Sequence, residues 1–147
     1  MTAAARGRPY AILLVEDDEA DALLIRDALL ERDPYHVITQ AEDGLVALQR
    51  LNDPALRRPD LIVLDLNMPR MNGHEFLEIL KKDEKLKVIP VVVLSTSLAP
   101  DDIVGSYRRH ANAYIAKPVN LDQFIQAVHS IDTFFIDFVA RVPDVAA

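Results

Sequence analysis

Short apolar runs alternate with amphipathic stretches along most of this chain. Each of five runs is rich in Val, Ile, Leu and Ala, and most lack the apolar–polar alternation of a sheet that faces water. A run of about four to six such residues is typical of a strand that is covered on both faces. The strands predicted in this way span residues 11–15, 36–41, 61–64, 89–94 and 113–116.

A helical pattern follows each predicted strand. Asp18 is placed to cap the first helix, and the Asp-Pro pair at residues 33–34 ends it. Pro100 suits the first position of the fourth helix, while Asn120 and Gln123 form a capping-box signature before the fifth. This alternation predicts one α/β domain, with a doubly wound, parallel, five-stranded sheet, helices on both faces and right-handed crossovers.

The helical pattern continues past the fifth helix. Apolar residues keep the spacing i, i+3, i+4, i+7 from Leu121 to Val142, where Pro143 ends the pattern. A helix of that length would extend ~31 Å, more than the sheet can cover, so we expect an exposed apolar stripe that a second copy of the chain buries. The alternative is a core helix to about residue 131 followed by a frayed tail. The residues expected at the dimer interface are Ile131, Phe134, Phe135, Phe138 and Val142.

The two ends of the chain differ in composition from its middle. Residues 1–8 are small, polar and basic, so we expect a disordered lead before a domain that spans residues 9–130. Residues 131–147 would form the helix extension and tail. The lead lacks the apolar core of a signal peptide, and the longest apolar stretch, residues 88–94, falls short of the ~18 residues of a membrane span. We therefore expect a cytoplasmic protein without a membrane segment.

Charge and cysteine content exclude several functional classes. The formal net charge is −7, and no basic stripe accompanies the arginine pairs at residues 57–58 and 108–109, which argues against nucleic acid as a partner. The chain has no cysteine, so disulfides, thiolate catalysis and cysteine-based metal sites are excluded. No glycine-rich nucleotide loop supports a kinase or an NTPase.

Polar groups follow four of the five predicted strands. Glu16 and Asp17 follow the first strand, and Asp65 follows the third. Ser95 follows the fourth strand, and Lys117 follows the fifth. Because parallel strands place their carboxyl ends at one edge of the sheet, these side chains meet if the four strands are neighbours. Turn chemistry explains one such residue, but it does not explain the joint pattern.

The clustered carboxylates indicate a cation site. Three negative charges repel one another, and Lys117 supplies only one compensating charge. Mg²⁺ favours carboxylate and carbonyl oxygens, so we expect Asp17 and Asp65 as direct ligands. A backbone carbonyl near Asn67 would complete the protein ligands, and Glu16 would act through water. An aspartate beside Mg²⁺ and a lysine is suited to attack a phosphoryl group, which the hydroxyl after the fourth strand would hydrogen-bond.

Together these residues resemble the receiver domain of two-component response regulators. The motifs that carry the resemblance are Glu16-Asp17, residues 65–73, Ser95 and Lys117-Pro118. The resemblance covers roughly residues 10–131 and implies a flavodoxin-like sheet in the order 2-1-3-4-5. It also implies a single-domain response regulator that is not an enzyme, with at most slow self-phosphotransfer and self-dephosphorylation.

The resemblance implies roles for individual residues. Asp65 would accept a phosphoryl group from a histidine of a partner kinase in a Mg²⁺-dependent reaction, and Lys117 would be the lysine of the site. Ser95 matches the switch hydroxyl. Tyr114 matches the aromatic residue whose rotamer reports the state of the site, although core packing alone would also explain it. The signal would pass on through a conformational change of the surface.

Three positions depart from the common family pattern. Glu16 stands where aspartate is common, and Ser95 keeps the hydroxyl of the commoner threonine. His110 occupies a position where glycine often ends the fourth helix; a left-handed cap there is costly for histidine, so we expect a different turn. The family also implies a cis bond between Lys117 and Pro118, whereas the sequence alone makes cis the minority form.

A narrower resemblance concerns the loop before the fourth helix and the tail. Residues 98–102, residues 130–135 and Val142-Pro143 resemble stand-alone receivers that are paired with phytochrome-type histidine kinases. This narrower resemblance implies a light-signalling kinase as the partner, and it implies a homodimer.

Two other functions stay open at this point. A phosphatase of the haloacid dehalogenase type also uses an aspartate nucleophile, Mg²⁺, a hydroxyl and a lysine. Its nucleophile usually comes first in the chain, with a second aspartate two residues later, whereas residue 67 here is asparagine. A degenerate receiver would act only as a binding module, but the acid pair, Asp65, Ser95 and Lys117 are all present.

Overall fold

The computed structural model describes residues 8–143 and shows the predicted alternation of strands and helices. The strands are β1 (Ala11–Val15), β2 (Val37–Ala41), β3 (Leu61–Leu64), β4 (Val91–Ser95) and β5 (Ala113–Ala116). The helices are α1 (Glu19–Arg32), α2 (Gly44–Leu51), α3 (Gly73–Lys82), α4 (Pro100–Arg108) and α5 (Leu121–Ile131), and a π-helical segment, Asp132–Phe138, follows α5 directly. The predicted lead, apart from residue 8, and the last four residues of the tail lie outside the described residues.

All five strands are parallel and form one sheet in the order β2-β1-β3-β4-β5, which confirms the expected architecture. In this order β1 and β3 lie side by side, and crossovers lead away from them in opposite directions. The carboxyl ends of two such strands form the crevice in which open α/β sheets bind ligands. Val15 pairs with Leu64, so β1 and β3 end level with each other.

Helices cover both faces of the sheet. On one face, α1, α5 and the π-helical segment pack against Ile12 and Leu14 of β1. On the other face, α2 and α3 pack against Leu13 and Val15. Successive strand residues are therefore buried whichever way they point, which explains the uninterrupted apolar runs. Burial of each large apolar side chain contributes about 1.5–3 kcal/mol to stability.

The helix starts follow the predicted caps. The side chain of Asp18 accepts a hydrogen bond from the backbone of Asp21 at 3.0 Å, and Pro100 is the first residue of α4. Asn120 caps α5 by accepting from the backbone of Gln123 at 3.1 Å. Within residues 8–143, no helix combines the length and the apolarity that crossing a bilayer requires.

His110 adopts the left-handed conformation that we expected it to avoid. Its φ is 69°, and it follows the last residues of α4. The backbone N–H of His110 donates to Tyr107 O at 3.0 Å, and the N–H of Ala111 donates to Ser106 O at 3.0 Å. This pair of bonds is the Schellman arrangement, which satisfies the last carbonyls of a helix. The expectation of a different turn is wrong because these bonds, together with burial of Ala111, hold the residue in place.

The tail differs from the continuous α-helix predicted up to residue 142. The α-helix ends at Ile131, a π-helical segment continues to Phe138, and Val139 is already extended. The backbone N–H of Val139 donates to Phe134 O at 2.9 Å, which closes the last wide turn. The apolar spacing in the sequence fits either kind of helix, so periodicity alone could not reveal the change.

A buried polar pair lies where the helix type changes. Asp132, which the α-helical pattern placed on the outer face, is buried, and its carboxylate lies 3.0 Å from His36 Nε2. Ile131, the last residue of α5, and Phe135 in the π-helical segment both lie in the core, where they are 1% and 7% exposed. The expected exposure of these two side chains is therefore wrong. Phe134 and Phe138 remain 57% and 77% exposed.

The chain after the π-helical segment lies against the beginning of the described chain. The guanidinium of Arg141 donates to Arg8 O at 2.9 Å and stacks 5.0 Å from the centre of the Tyr10 ring. Arg58 donates to Pro143 O at 3.1 Å. These contacts hold the tail at the amino-terminal edge of the sheet, and they leave the carboxyl-terminal edge open.

Candidate functional site

The sheet order brings the predicted site residues to one edge. Strands β1, β3, β4 and β5 are successive neighbours. Glu16 and Asp17 follow β1, Asp65 follows β3 and Lys117 follows β5, whereas Ser95 is the last residue of β4 rather than the residue after it. The residues just past the strands continue the ladder: Asp65 N–H donates to Val15 O at 3.0 Å, and Lys117 N–H donates to Ser95 O at 2.7 Å. These backbone hydrogen bonds therefore fix the positions of the Cα atoms of Asp65 and Lys117 independently of any side-chain contact.

Three carboxylates converge at this edge. One oxygen from each of Glu16, Asp17 and Asp65 lies within 4.8 Å of the others. Glu16 and Asp65 are buried, whereas Asp17 is exposed. Burial raises the pKa of Glu16 to about 7, and the nearby charge of Asp65 adds to this rise. Burial also raises the pKa of Asp65, although Lys117 and backbone N–H groups partly offset the effect.

The carboxylate cluster fits a hard divalent cation. Its donors are all carboxylate oxygens, and burial raises the pKa of Glu16 and of Asp65 even though Lys117 lies beside them, so a bound cation would stabilise their charged forms. The exposed position of Asp17 leaves room for the water ligands that Mg²⁺ usually keeps. The backbone N–H of Asn67 hydrogen-bonds Asp65 and lowers the pKa of that carboxyl.

Lys117 reaches this cluster from β5. Its Nζ donates to Glu16 Oε1 at 2.5 Å and to Asp21 Oδ2 at 2.9 Å, and it lies 3.9 Å from Asp65 Oδ1. Burial alone would lower the pKa of this lysine, but the hydrogen bonds to Glu16 and Asp21 raise it overall. Lys117 is therefore a charged partner of the site. The peptide bond between Lys117 and Pro118 is trans, unlike the cis bond that the resemblance implied.

Asp21, in the first turn of α1, is a further residue at this site, and the sequence motifs did not identify it. The signal that could have revealed it is its place in the chain: Asp21 lies in the first turn of α1, just after the acid pair that follows β1.

Ser95 and Tyr114 are linked through the loop between β4 and α4. The buried Ser95 hydroxyl accepts a hydrogen bond from the backbone of Ser97 at 3.2 Å. Tyr114 Oη donates to the carbonyl oxygen of Ser97 at 2.8 Å. The Ser97 hydroxyl donates to a carboxylate oxygen of Asp102 in α4 at 2.5 Å. A movement of Ser95 that displaced Ser97 would therefore change the hydrogen bonds that Ser97 makes with Tyr114 and with α4.

Gly73 allows α3 to begin directly beneath Asp65. A side-chain carbon at this position would lie 2.6 Å from Asp65 O and 2.8 Å from Leu66 Cα, both backbone atoms that cannot give way. The backbone N–H of Gly73 donates to Leu66 O at 2.9 Å, which folds the loop back on itself. Asn72 then caps α3 in a capping box with Glu75. The loop geometry thus holds the segment after Asp65 close to the sheet.

Comparison with known sequences identifies related proteins. The sequence model of the response regulator receiver domain family matches residues 12–129. The chain is 41% identical over 138 residues to the response regulator Rcp1 of Synechocystis sp., covering 89% of this chain and 92% of that protein. It is 34% identical over 122 residues to the polar-differentiation response regulator DivK of Brucella anthropi, covering 83% of this chain and 95% of DivK.

Solved structures show the same architecture. The Mn²⁺-bound form of response regulator Rcp1 superimposes with a TM-score of 0.87 at 39% identity, covering 92% of this chain and 100% of that one. The phosphorylated cyanobacterial phytochrome response regulator RcpA superimposes with a TM-score of 0.86 at 44% identity, covering 92% and 99%. The first structure contains a divalent metal, and the second is phosphorylated.

Proposed function

Because the chain belongs to the response regulator receiver domain family, we propose that it accepts a phosphoryl group on Asp65 from a histidine of a partner kinase. Family membership confirms the resemblance stated from the sequence motifs. The observation that carries the assignment to Asp65 is its position: it is buried at the end of β3, among Glu16, Asp17 and Lys117.

The transfer is a direct displacement at phosphorus. A carboxylate oxygen of Asp65 attacks the phosphorus atom while the bond from phosphorus to the kinase imidazole nitrogen breaks. The electron pair of that bond stays on the nitrogen, which is neutral once the phosphoryl group has left. Lys117 stabilises the charge on the phosphoryl oxygens. Its ammonium group already lies 3.9 Å from Asp65, so a small movement brings it into contact.

The carboxylate cluster is proposed to hold Mg²⁺. Asp17 and Asp65 would be direct ligands with the backbone carbonyl of Asn67, and Glu16 would act through water. A divalent ion there neutralises the clustered carboxylates and the incoming phosphoryl oxygens when it is bound. Two observations support the proposal: the carboxylate oxygens lie within 4.8 Å of one another, and the related Rcp1 has been solved in a Mn²⁺-bound form.

The proposed output is a conformational change that starts at Ser95. Its hydroxyl leaves the backbone of Ser97 and hydrogen-bonds the phosphoryl group on Asp65. The Ser97 carbonyl then shifts relative to Tyr114, and the bond from Ser97 to Asp102 carries the shift to α4. The surface around α4 and β5 would therefore differ between the two states. Any self-phosphotransfer or self-dephosphorylation would be slow, since the chain acts as an acceptor.

We propose a histidine kinase of the phytochrome type as the partner, because the related RcpA is a cyanobacterial phytochrome response regulator.

We also propose that the protein forms a homodimer and that it is located in the cytoplasm. Phe134 and Phe138 are the exposed apolar side chains that a second copy would cover, and Val142 lies beside them in sequence. Ile131 and Phe135 would contribute indirectly, because the single chain already buries them.

The comparisons do not support either alternative function. A phosphatase of the haloacid dehalogenase type would place an aspartate two residues after its nucleophile, but Asn67 stands there. A degenerate receiver would have lost part of the site, whereas the acid pair, Ser95 and Lys117 surround Asp65 here.

The test is stoichiometric labelling. The full chain is incubated with Mg²⁺ and either a phosphorylated histidine kinase or a small acyl phosphate, and intact mass counts the phosphoryl groups. Wild type should carry one group, Asp65→Asn none, and the exposed control Asp122→Asn one. Chelation should abolish labelling, and added Mg²⁺ should restore it. Equal labelling of Asp65→Asn, or turnover far above one phosphate per chain, would contradict the proposal.

A further inference from the structure

Lys117 has an acidic partner that the proposed chemistry does not require. Its Nζ makes hydrogen bonds to Glu16 at 2.5 Å and to Asp21 at 2.9 Å, whereas Asp65 lies at 3.9 Å, too far for a hydrogen bond. An ammonium group has three donors. Two of them are therefore committed to carboxylates other than that of Asp65.

The start of α1 fixes the position of Asp21. Its backbone N–H donates to the capping side chain of Asp18 at 3.0 Å. Among the described residues, the carboxylate cluster suited to a cation comprises Glu16, Asp17 and Asp65, so Asp21 lies outside it. The side chain of Asp21 is 30% exposed and that of Lys117 only 5%. Asp21 thus holds the lysine from the solvent side of the site.

We propose that Asp21 restrains the Lys117 ammonium group at the margin of the site until a phosphoryl group reaches Asp65. The inference rests on the proposed function of Asp65. When the Asp65 oxygen bonds to phosphorus, the donor leaves with the electron pair of the broken bond, and charge spreads over the phosphoryl oxygens. Lys117 stabilises that charge after it has left Asp21, without gaining or losing a proton.

The ion pair between Asp21 and Lys117 should act against phosphorylation. An ion pair between Asp21 and Lys117 stabilises the unphosphorylated protein, and it must be broken before Lys117 serves the phosphoryl group. Asp21 is therefore a positioning residue that slows phosphorylation and disfavours the phosphorylated state. Removing its charge should accelerate phosphorylation roughly two- to fivefold, which is the range that a partly exposed ion pair supports.

A purely structural role for Asp21 makes a different prediction. The amino terminus of a helix favours negative charge, so an acidic residue in the first turn could serve only the helix. Glu19 provides the matched control, because it lies in the same turn and is exposed. In the described part of the chain, the ion-pair partners of Lys117 are Glu16, Asp21 and Asp65, and Glu19 is not among them.

The experiment compares the full chain with Asp21→Asn, Asp21→Ser, Asp21→Glu and Glu19→Gln. Labelling by a small acyl phosphate with Mg²⁺ should be roughly two- to fivefold faster in both uncharged variants at residue 21. Asp21→Glu and Glu19→Gln should stay near the wild-type rate. A second readout needs no phosphoryl transfer, because beryllofluoride with Mg²⁺ mimics the bound phosphoryl group. The affinity of Asp21→Asn and Asp21→Ser for beryllofluoride should rise by the same factor. Titration followed by side-chain NMR of Lys117 measures that affinity.

A second comparison, in a protein without Lys117, tests whether the effect of Asp21 depends on that lysine. In a Lys117→Gln protein, Asp21→Asn should change neither the labelling rate nor the affinity for beryllofluoride, because the lysine to be released is gone. Equal effects of Asp21→Asn and Glu19→Gln, slower labelling of Asp21→Asn, or an effect that persists without Lys117 would overturn the inference. If wild type itself is not labelled, the proposed function fails instead.

Discussion

The guanidinium of Arg70 pairs with the buried carboxylate of Asp43. Arg70 lies in the loop after β3 with φ at 62°, and its Nε donates to Asp43 Oδ2 at 2.7 Å. The same carboxylate caps α2 by accepting from the backbone of Val46 at 3.0 Å. One carboxylate therefore joins the loop that follows Asp65 to the start of the neighbouring helix.

This pair predicts a loss of stability in acid. Burial alone would raise the pKa of Asp43, but the hydrogen bonds from Val46 and Arg70 outweigh it and hold the pKa below its usual value. A carboxyl with a lowered pKa in the folded state stabilises the protein above about pH 4, and that contribution is lost as the pH falls through the folded-state pKa. Asp43→Asn should therefore be less stable than wild type at neutral pH by about 1 kcal/mol, and the difference should shrink in acid.

Urea unfolding at neutral pH and at about pH 3 measures that difference. The control is Asp101→Asn, an exposed change of the same charge in the first turn of α4. A deficit in Asp43→Asn that stayed constant across this pH range would show that the charge of Asp43 contributes nothing.

The buried pair of His36 and Asp132 predicts a large effect of a tail substitution. Asp132→Ala leaves His36 Nε2 buried without its partner at 3.0 Å, and we expect a loss of about 2–3 kcal/mol. Asp137→Ala, in the same π-helical segment, removes an exposed pair with Arg32 at 3.3 Å and should cost less than about 1 kcal/mol. Urea unfolding followed by circular dichroism distinguishes them, and equal losses would refute the special role of the buried pair.

His110 offers a stabilising substitution. Its φ of 69° is costly for a residue with a side chain and easy for glycine, so His110→Gly should raise stability by about 0.5–1 kcal/mol. His110→Ala removes the imidazole but keeps the cost of the left-handed backbone, so it should not stabilise. Thermal unfolding of the three proteins measures the effect, and a gain in His110→Ala equal to that of glycine would point to the imidazole instead.

The exposed phenylalanines predict where a dimer would be broken. Replacing Phe134 and Phe138 together by serine should shift sedimentation toward the monomer without loss of folding, because both are more than half exposed. Phe135→Ser should instead destabilise the fold by about 3 kcal/mol or more, since that ring is buried. Val88→Ser, an exposed apolar change elsewhere, is the control. A dimer that survives the double substitution would exclude this surface.

Much of the fold could be predicted because its signals are local. Uninterrupted apolar runs identify strands covered on both faces, and capping residues such as Asp18 and Asn120 mark helix starts. The strand-end residues converge because parallel strands share an edge, which required only the order of the strands. That order came from the resemblance to receivers, since residue patterns do not specify which strands are neighbours.

The features that could not be predicted depend on contacts between distant residues. Asp132 is polar, and nothing near it in sequence shows that His36 lies within the core to receive it. Asp21 is one acid among several at the start of α1, and only the fold brings Lys117 to it. His110 takes up a left-handed conformation that its own preference opposes, because two backbone bonds at the end of α4 require it.

The contact of Arg141 with Arg8 has a practical consequence. It brings residues near both limits of the described chain together, on the side of the sheet away from Asp65 and Lys117. A fluorophore, a surface tether or a short covalent linker between these residues would leave the edge with Asp65 and Lys117 uncovered. The protein is thus suited to serve as a reporter module that is anchored on one side and read from the other.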